Sequence, residues 1–395
     1  MKIHVIGGGP SGLYFALLAK RRFAGARVEV FEQNPQGATY GFGIVLADRG
    51  LDRLQRADEA SYAAIVKASF FTRHRVIKHP GETIFIDGGG YGGAIARLRL
   101  LQILETHCQA AGVRLHHGMR IDDLDDLDAI EDADLVVGAD GVNSVLRKRH
   151  EAAFGTTSWM LTNRLAWYGT EKHFPYPVMC FRRYRGGHFV GVAYPYSERM
   201  STFVAECDAG TWTRLGLDAM SDDERRGLAE QVFAEELGGC ALISNKSLWH
   251  SLPVVRSTQW SVGHRVLIGD ALHSAHPSIG SGTRIAMEDA IALADALASS
   301  PADMRSALAT FRLAREPAKA KLVAAAEKSF MWYESFPAKV DALDPIPFVF
   351  DFLTRTGRVD AARLYAEYPR FMKRYGANLP DPSRTFACDR AEVRQ

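Results

Sequence analysis

The stretch Ile3-His4-Val5-Ile6 is apolar but for one histidine, the pattern of a strand covered on both faces of a sheet. From Ser11 to Arg22 the apolar positions Leu13, Phe15, Ala16, Leu17 and Leu18 predict a helix, and Arg27-Val28-Glu29-Val30-Phe31, ending at Glu32, predicts a second strand. Strand, helix and strand in this order imply a parallel sheet. Asp87–Gly93 reads as a glycine-rich turn. Leu98, Leu101 and Leu104 define one face of a helix from about Arg97 to Ala111, and Val113–His116 reads as a strand. The acidic stretch Asp122–Asp134, broken by leucines, suits an edge segment with one solvated face. Asp134-Leu135-Val136-Val137-Gly138-Ala139 is again a buried strand.

From about Trp159 to Leu252 the period shortens to two, as in Val178–Arg182 and Met200–Ala205, which predicts antiparallel strands. The buried-strand pattern returns at Arg265–Ile268, and from about Arg284 the chain is rich in alanine and leucine and reads as helical. The tail after Pro380 is polar and expected to fray. The fold expected is α/β (α+β). A Rossmann-like lobe with a parallel sheet takes residues 1–75, 90–158 and 253–330. A sheet-rich lobe takes 76–89 and 159–252, and a helical segment with a tail takes 331–395. A chain of 395 residues exceeds the ~250–300 that one core usually sustains, in keeping with two lobes.

Charge and cysteine usage narrow the function classes. Lys+Arg number 48 and Asp+Glu 46, a balance that excludes a strongly basic nucleic-acid-binding surface. No run approaches the ~20 apolar residues of a membrane span, and the N-terminus has no signal-peptide core. The five cysteines are scattered with no CxxC pair, so neither a disulfide framework nor a metal site is expected, and a cytoplasmic setting is.

Three turns carry the chemistry. Gly7-Gly8-Gly9-Pro10-Ser11-Gly12 is a G-x-G-x-x-G between a strand and a helix. Gly7 would allow the tight turn, Gly9 the approach of a diphosphate to the helix end, and Gly12 close helix–strand packing. Glu32, at the end of the next strand, suits a ribose hydroxyl. Gly269-Asp270 follows another buried strand, which brings Asp270 to the sheet's carboxyl edge. Ile279-Gly280-Ser281-Gly282-Thr283 then opens a helix whose free N–H groups favour an electron-rich ring edge. Asp140-Gly141 ends the strand at Ala139, with Arg147 shortly after.

The GxGxxG, DG and GD motifs in this order resemble those of the single-component (class A) flavoprotein monooxygenases related to para-hydroxybenzoate hydroxylase, from Met1 to about Phe330. The resemblance implies bound FAD held by Gly7, Gly9, Pro10, Ser11, Gly12, Glu32 and Gln33, by Arg97, by Asp140 and Gly141, and by Asp270 with Gly280, Ser281, Gly282 and Thr283. It also implies a flavin C4a-hydroperoxide as the oxygen donor, and NADPH or NADH binding transiently, since no second GxGxxG is present. His276–Ala290, Tyr40–Gly43, Ile95–Arg97 and Tyr196–Phe203 are similar to the branch acting on aromatic acyl-CoA thioesters of the salicylyl-CoA or 2-aminobenzoyl-CoA type. Arg284 stands where many members carry Asn, and Pro277 where that branch often has Phe.

The substrate expected is therefore an electron-rich aromatic ring, on a CoA thioester, in a monomer or homodimer that binds no nucleic acid. His276, Pro277, Arg284 and Tyr194 are the candidate catalytic positions, with Tyr196 beside the last. Arg182, Arg183 and Arg185 could meet CoA phosphates. The aromatic runs Phe330–Tyr333 and Phe348–Phe350 could cover the substrate mouth. The alternatives are a hydroxylase of an indole- or tryptophan-derived pigment precursor and a non-catalytic FAD-fold carrier. A halogenase is disfavoured by the lack of a Trp-x-Trp-x-Ile-Pro segment.

Overall fold

The computed structural model describes residues 1–47, 51–121, 124–274 and 276–376. Its strands are β1 (Lys2–Ile6), β2 (Arg27–Glu32), β3 (Gly43–Ala47), β4 (Phe70–His79), β5 (Glu82–Ala96), β6 (Arg114–His117), β7 (Leu135–Gly138), β8 (Thr156–Thr170), β9 (Val178–Tyr184), β10 (Gly187–Pro195), β11 (Ser201–Cys207), β12 (His250–Ser257), β13 (Ser261–Val262) and β14 (Arg265–Leu267).

One sheet has the order β13-β14-β7-β1-β2-β6. All its pairings are parallel except β13–β14. The register explains why three distant motifs meet: Ile6 pairs with Gly138, and Gly138 with Leu267. The carboxyl ends of β1, β7 and β14 are therefore flush. The turns that follow, at Gly7, Asp140 and Gly269, leave the same edge side by side, with Glu32 at the end of β2 next to them. Leu135, Val136 and Val137 have no exposed surface, as strands covered on both faces require.

The other sheet has the order β12-β8-β11-β10-β9-β4-β5-β3. It is antiparallel except where β4 lies parallel to β9. One face packs on Trp212, Leu228, Phe233 and Trp249, from helical and loop segments between Ala209 and Trp249. The other meets Trp332, Tyr333, Phe336, Phe348 and Phe352 of the C-terminal helices. The aromatic runs expected at the substrate mouth thus have most of their bulk in this core.

One local expectation is corrected and two are made specific. Asp87–Gly93 is not a turn but part of β5, where Gly92 and Gly93 pair with β3 and β4. Glycine is needed there because a Cβ at Gly93 would come within 2.7 Å of the Phe71 ring. The acidic stretch forms a helix over Leu124–Glu131, and Asp122 and Asp123 lie outside the described residues. The period-two region also contains helices at Ala209–Arg214 and Asp222–Val232, the second begun by a Ser221–Glu224 capping box. The chain positions 75/76 and 89/90, expected to separate two lobes, fall inside β4 and β5. The polar tail after Pro380 lies outside the described residues.

Candidate active site

Each turn at the flush edge has a local cause. Gly7 has φ +104°, and a Cβ there would be 2.6 Å from the Ala139 carbonyl oxygen. A Cβ at Gly12 would be 2.0 Å from the Gly7 carbonyl oxygen, so only glycine lets the Pro10–Arg22 helix approach β1 this closely. Gly9 differs, since a Cβ there would meet nothing within 4 Å. This helix begins at Pro10 with no side-chain cap and no acidic residue in its first turn. Its positive end thus faces open space, a fit for a diphosphate.

Glu32 anchors the loop. Its Oε2 accepts from the Gly8 N–H at 2.7 Å, and its Oε1 from the backbone and side chain of Asn34 at 2.8 and 2.6 Å. Gln33 beside it is exposed. Gly269 (φ +60°) packs between Ser11 and Ala286, which ties the GD turn to the first helix and to the Gly282–Ser299 helix. The Asp289 carboxylate accepts from the Gly269 N–H at 3.2 Å. It is itself paired with Arg315 at 2.9 Å and Lys319 at 2.6 Å, and these two cations hold its carboxyl below the usual range despite full burial. Asp270 is exposed at the edge.

Arg147 joins the DG and GD turns by donating to the carbonyls of Ala271, at 2.8 Å, and Val142. Asp140 accepts from the Val145 N–H at 2.7 Å through Oδ2. Its Oδ1 is buried without a hydrogen-bond partner, and burial raises its pKa. Gly141 has φ +76° and open space where a Cβ would stand. Arg97 opens its helix and donates from Nε to Thr39 at 3.1 Å. Burial lowers its pKa, while the charges of Asp270 and Glu32 oppose that shift. Arg97 thus lies within the field of two carboxylates from two different turns. Open space at Gly9 and Gly141, an orphaned oxygen on Asp140 and a cation within the field of two acids form a cradle that fits an extended dinucleotide.

Across from this edge, Gly282 begins its helix with no side-chain cap and no acid in the first turn. Ser281 donates to the Ile279 carbonyl at 3.0 Å, Gly280 (φ +59°) sits beside Val45 of β3, and Thr283 is half-buried. Pro277 opens the short turn over Pro277–Ile279. His276 Nδ1 accepts from the Ser278 N–H at 3.2 Å and lies 2.7 Å from Ser278 Oγ, which puts the ring proton on Nε2. Burial, aided by Arg355, lowers its pKa to about 4, so the ring is neutral. Arg355 holds the loop by donating to the Ser278 carbonyl at 2.7 Å and to Ser329 Oγ at 3.1 Å.

The remaining candidates divide. The Tyr194 hydroxyl donates to the Gly43 carbonyl at 2.8 Å, and burial pushes its pKa up to about 12. Arg284 is engaged by Glu288, with its Nε buried and unpartnered. Arg182 pairs with Glu235 and Glu236, and Arg183 with Asp341, so each already has a carboxylate partner. Several contributors had no sequence motif. Asn245 donates to the carbonyls of Thr39 and Gly41 at 3.0 and 3.3 Å, Lys246 caps the Tyr40 ring, and Thr202 Oγ1 accepts from the Gly43 N–H at 2.8 Å. Together they fix the Thr39–Gly43 loop over β10 and β11.

Residues 1–326 match the family described as FAD binding domain. The chain is 37% identical over 365 residues to a salicyloyl-CoA 5-hydroxylase of Streptomyces sp, spanning 90% of this chain and 70% of that protein. It is 36% identical over 338 residues to a 3-hydroxy-4-methyl-anthranilyl-[aryl-carrier protein] 5-monooxygenase of Streptosporangium sibiricum, spanning 85% and 90%. The crystal structure of P. aeruginosa PqsL with 2-aminobenzoylacetate superposes with a TM-score of 0.67 at 21% identity, covering 85% of this chain and 97% of that one, a likeness of fold.

Proposed function

The chain belongs to the FAD-binding-domain family of flavoprotein monooxygenases and is an enzyme of that kind; from that premise we propose that it hydroxylates an electron-rich aromatic ring carried as a thioester, on CoA or on a carrier. The observation that carries this reading is the inward face of the eight-stranded sheet. Trp167 and Tyr194 remain only half-buried there, under the Thr39–Gly43 loop and outside the packed aromatic cores. Two partly open aromatics beside the cofactor cradle suit a flat ring. Two relatives with more than a third of their aligned residues identical carry names that specify an aryl thioester or an aryl group on a carrier protein.

The bound FAD, once reduced, supplies dioxygen activation and oxygen transfer. The protein's part is to hold and orient. The Pro10 helix end would hold the diphosphate, Glu32 and Asp270 would bind sugar and ribitol hydroxyls, and the N–H groups of Ile279–Thr283 would favour an electron-rich ring. Pro277 and the sheet close the site against water. Tyr194 stays neutral and acts by position, and neutral His276 shapes the loop. NADPH or NADH enters transiently beside the flavin, and a reducing cytoplasm is the setting this chemistry suits.

The test is NAD(P)H consumption by the yellow holoenzyme with salicyloyl-CoA, 2-aminobenzoyl-CoA and the corresponding free acids. Stimulated consumption with a product one oxygen heavier, for thioesters over free acids, is the expected outcome. Equal or better turnover of the free acids would overturn the thioester assignment.

A further inference from the structure

Strand β11 is buried at every position, yet it contains a glutamate. Its outward set, Phe203, Ala205 and Cys207, belongs to the core with Trp212 and Phe233. Its inward set is Thr202, Val204 and Glu206, and register places three rungs on that face. Thr202 lies opposite Tyr194 and Gly169, Val204 opposite Val192 and Trp167, and Glu206 opposite Val190 and Leu165. The first rung is bonded to the Gly43 loop. The last meets Tyr333, whose ring is 6.1 Å from His276. Successive rungs are about 7 Å apart, so one aromatic ring seated on Trp167, Val192 and Val204 would reach Glu206 with a substituent.

Glu206 is 5% exposed and makes no ion pair among the described residues. Oε1 accepts from Asn163 Nδ2 at 2.9 Å, and the same nitrogen donates to the Tyr333 carbonyl at 2.8 Å. Asn163 Oδ1, on the neighbouring strand β8, is buried without a hydrogen-bond partner. A buried acid with no cation beside an orphaned amide oxygen is a set of acceptors short of donors. The chargeable groups around it are Tyr333 and Glu334 at the end of the Met304–Glu334 helix, Arg355, 5.8 Å from the Tyr333 ring, and neutral His276 on the loop. Burial first, then Glu334, raises its pKa to about 7, against the lowering effect of Asn163.

We propose that Glu206, with Asn163 Oδ1, binds the ring hydroxyl or amino group of the substrate, and that the Glu206 carboxylate takes its proton as the ring is hydroxylated. The substrate oxygen or nitrogen loses one proton to the carboxylate, and its lone pair is freed to push electron density into the ring carbon that gains oxygen. This rests on the aromatic-monooxygenase reading and deepens it. It selects rings with a donor substituent and assigns Glu206 as a catalytic residue.

The experiment titrates the holoenzyme with salicyloyl-CoA and with benzoyl-CoA, which lacks the hydroxyl, following the flavin spectrum, for wild type, Glu206→Gln and Glu206→Asp. Wild type should favour the hydroxylated thioester by about tenfold or more. Glu206→Gln should bring the ratio to within about threefold and remove a limb near pH 7 from kcat/KM, and Glu206→Asp should restore part of both. An unchanged ratio and pH profile in a folded Glu206→Gln protein overturns the proposal. If wild type binds neither thioester, the thioester reading fails, and 4-nitrophenol against nitrobenzene decides the role of Glu206. A phenolate absorbance induced by wild type and absent with Glu206→Gln supports it, and no difference between the two proteins refutes it.

Discussion

Replacing Glu206 with glutamine should stabilise the protein by an amount that grows as pH rises from about 4.5 to about 7 and then levels off. The carboxyl lies between strands with one hydrogen-bond donor and no counter-cation, and burial raises its pKa from 4.5 to about 7. An acid with a raised folded-state pKa contributes stability in full below its unfolded value. That contribution is lost as pH rises through the folded value. The gap of about 2.5, at 1.36 kcal/mol for each unit, puts the penalty of ionising Glu206 in the fold at about 3 kcal/mol by pH 8. Glutamine imitates the neutral acid and keeps the acceptor that Asn163 uses. The assay is urea unfolding of substrate-free holoenzyme, wild type and Glu206→Gln, from pH 5 to pH 8.5. The two proteins should differ by less than about 1 kcal/mol at pH 5, with the variant ahead by about 3 kcal/mol at the upper end. A stability difference that does not change with pH, or a variant less stable at pH 8, would refute the picture of an uncompensated buried carboxyl.

Other consequences follow from the cradle. Gly12→Ala and Gly9→Ala should separate folding from binding. The first puts a Cβ 2.0 Å from the Gly7 oxygen and should lower apoprotein stability by ~1–3 kcal/mol or more. The second meets open space, so it should leave the apoprotein melting temperature nearly unchanged while weakening FAD binding in a fluorescence titration. Arg97→Met removes the cation in the field of Asp270 and Glu32 and should weaken FAD binding ~10–100-fold, the range of a charged contact worth about 1.5–3 kcal/mol. His276 has its pKa lowered from 6.5 to about 4, so wild type should lose up to ~3 kcal/mol as pH falls through that interval. Acid unfolding of His276→Asn should show a shallower slope.

The parts legible in the sequence were those whose chemistry is local. A glycine turn after a buried strand and an aspartate at a strand end are each decided within a few residues. The flush register of β1, β7 and β14 then gathers them. Glycine density usually signals a turn, but in β5 Gly93 is glycine to admit the Phe71 ring from the next strand. Nothing local in Asn245, Thr202 or Arg355 marks them as braces of the site loops, because each acts on a segment far away in the chain. Glu206 did carry a signal. It is the one charge in β11, in phase with Thr202 and Val204, but it gains meaning only once Asn163 and Tyr333 are seen beside it. Arg182 and Arg183 show the reverse: a basic cluster in the sequence is neutralised by carboxylates from Glu235, Glu236 and Asp341.

The most direct test of the whole account is single turnover of the reduced holoenzyme with salicyloyl-CoA under isotopically heavy dioxygen, followed by mass analysis of the thioester. One heavy oxygen atom on the aromatic ring, with the thioester intact, is the expected result. Hydrogen peroxide as the sole product, with the ring unlabelled for both salicyloyl-CoA and 2-aminobenzoyl-CoA, would contradict it.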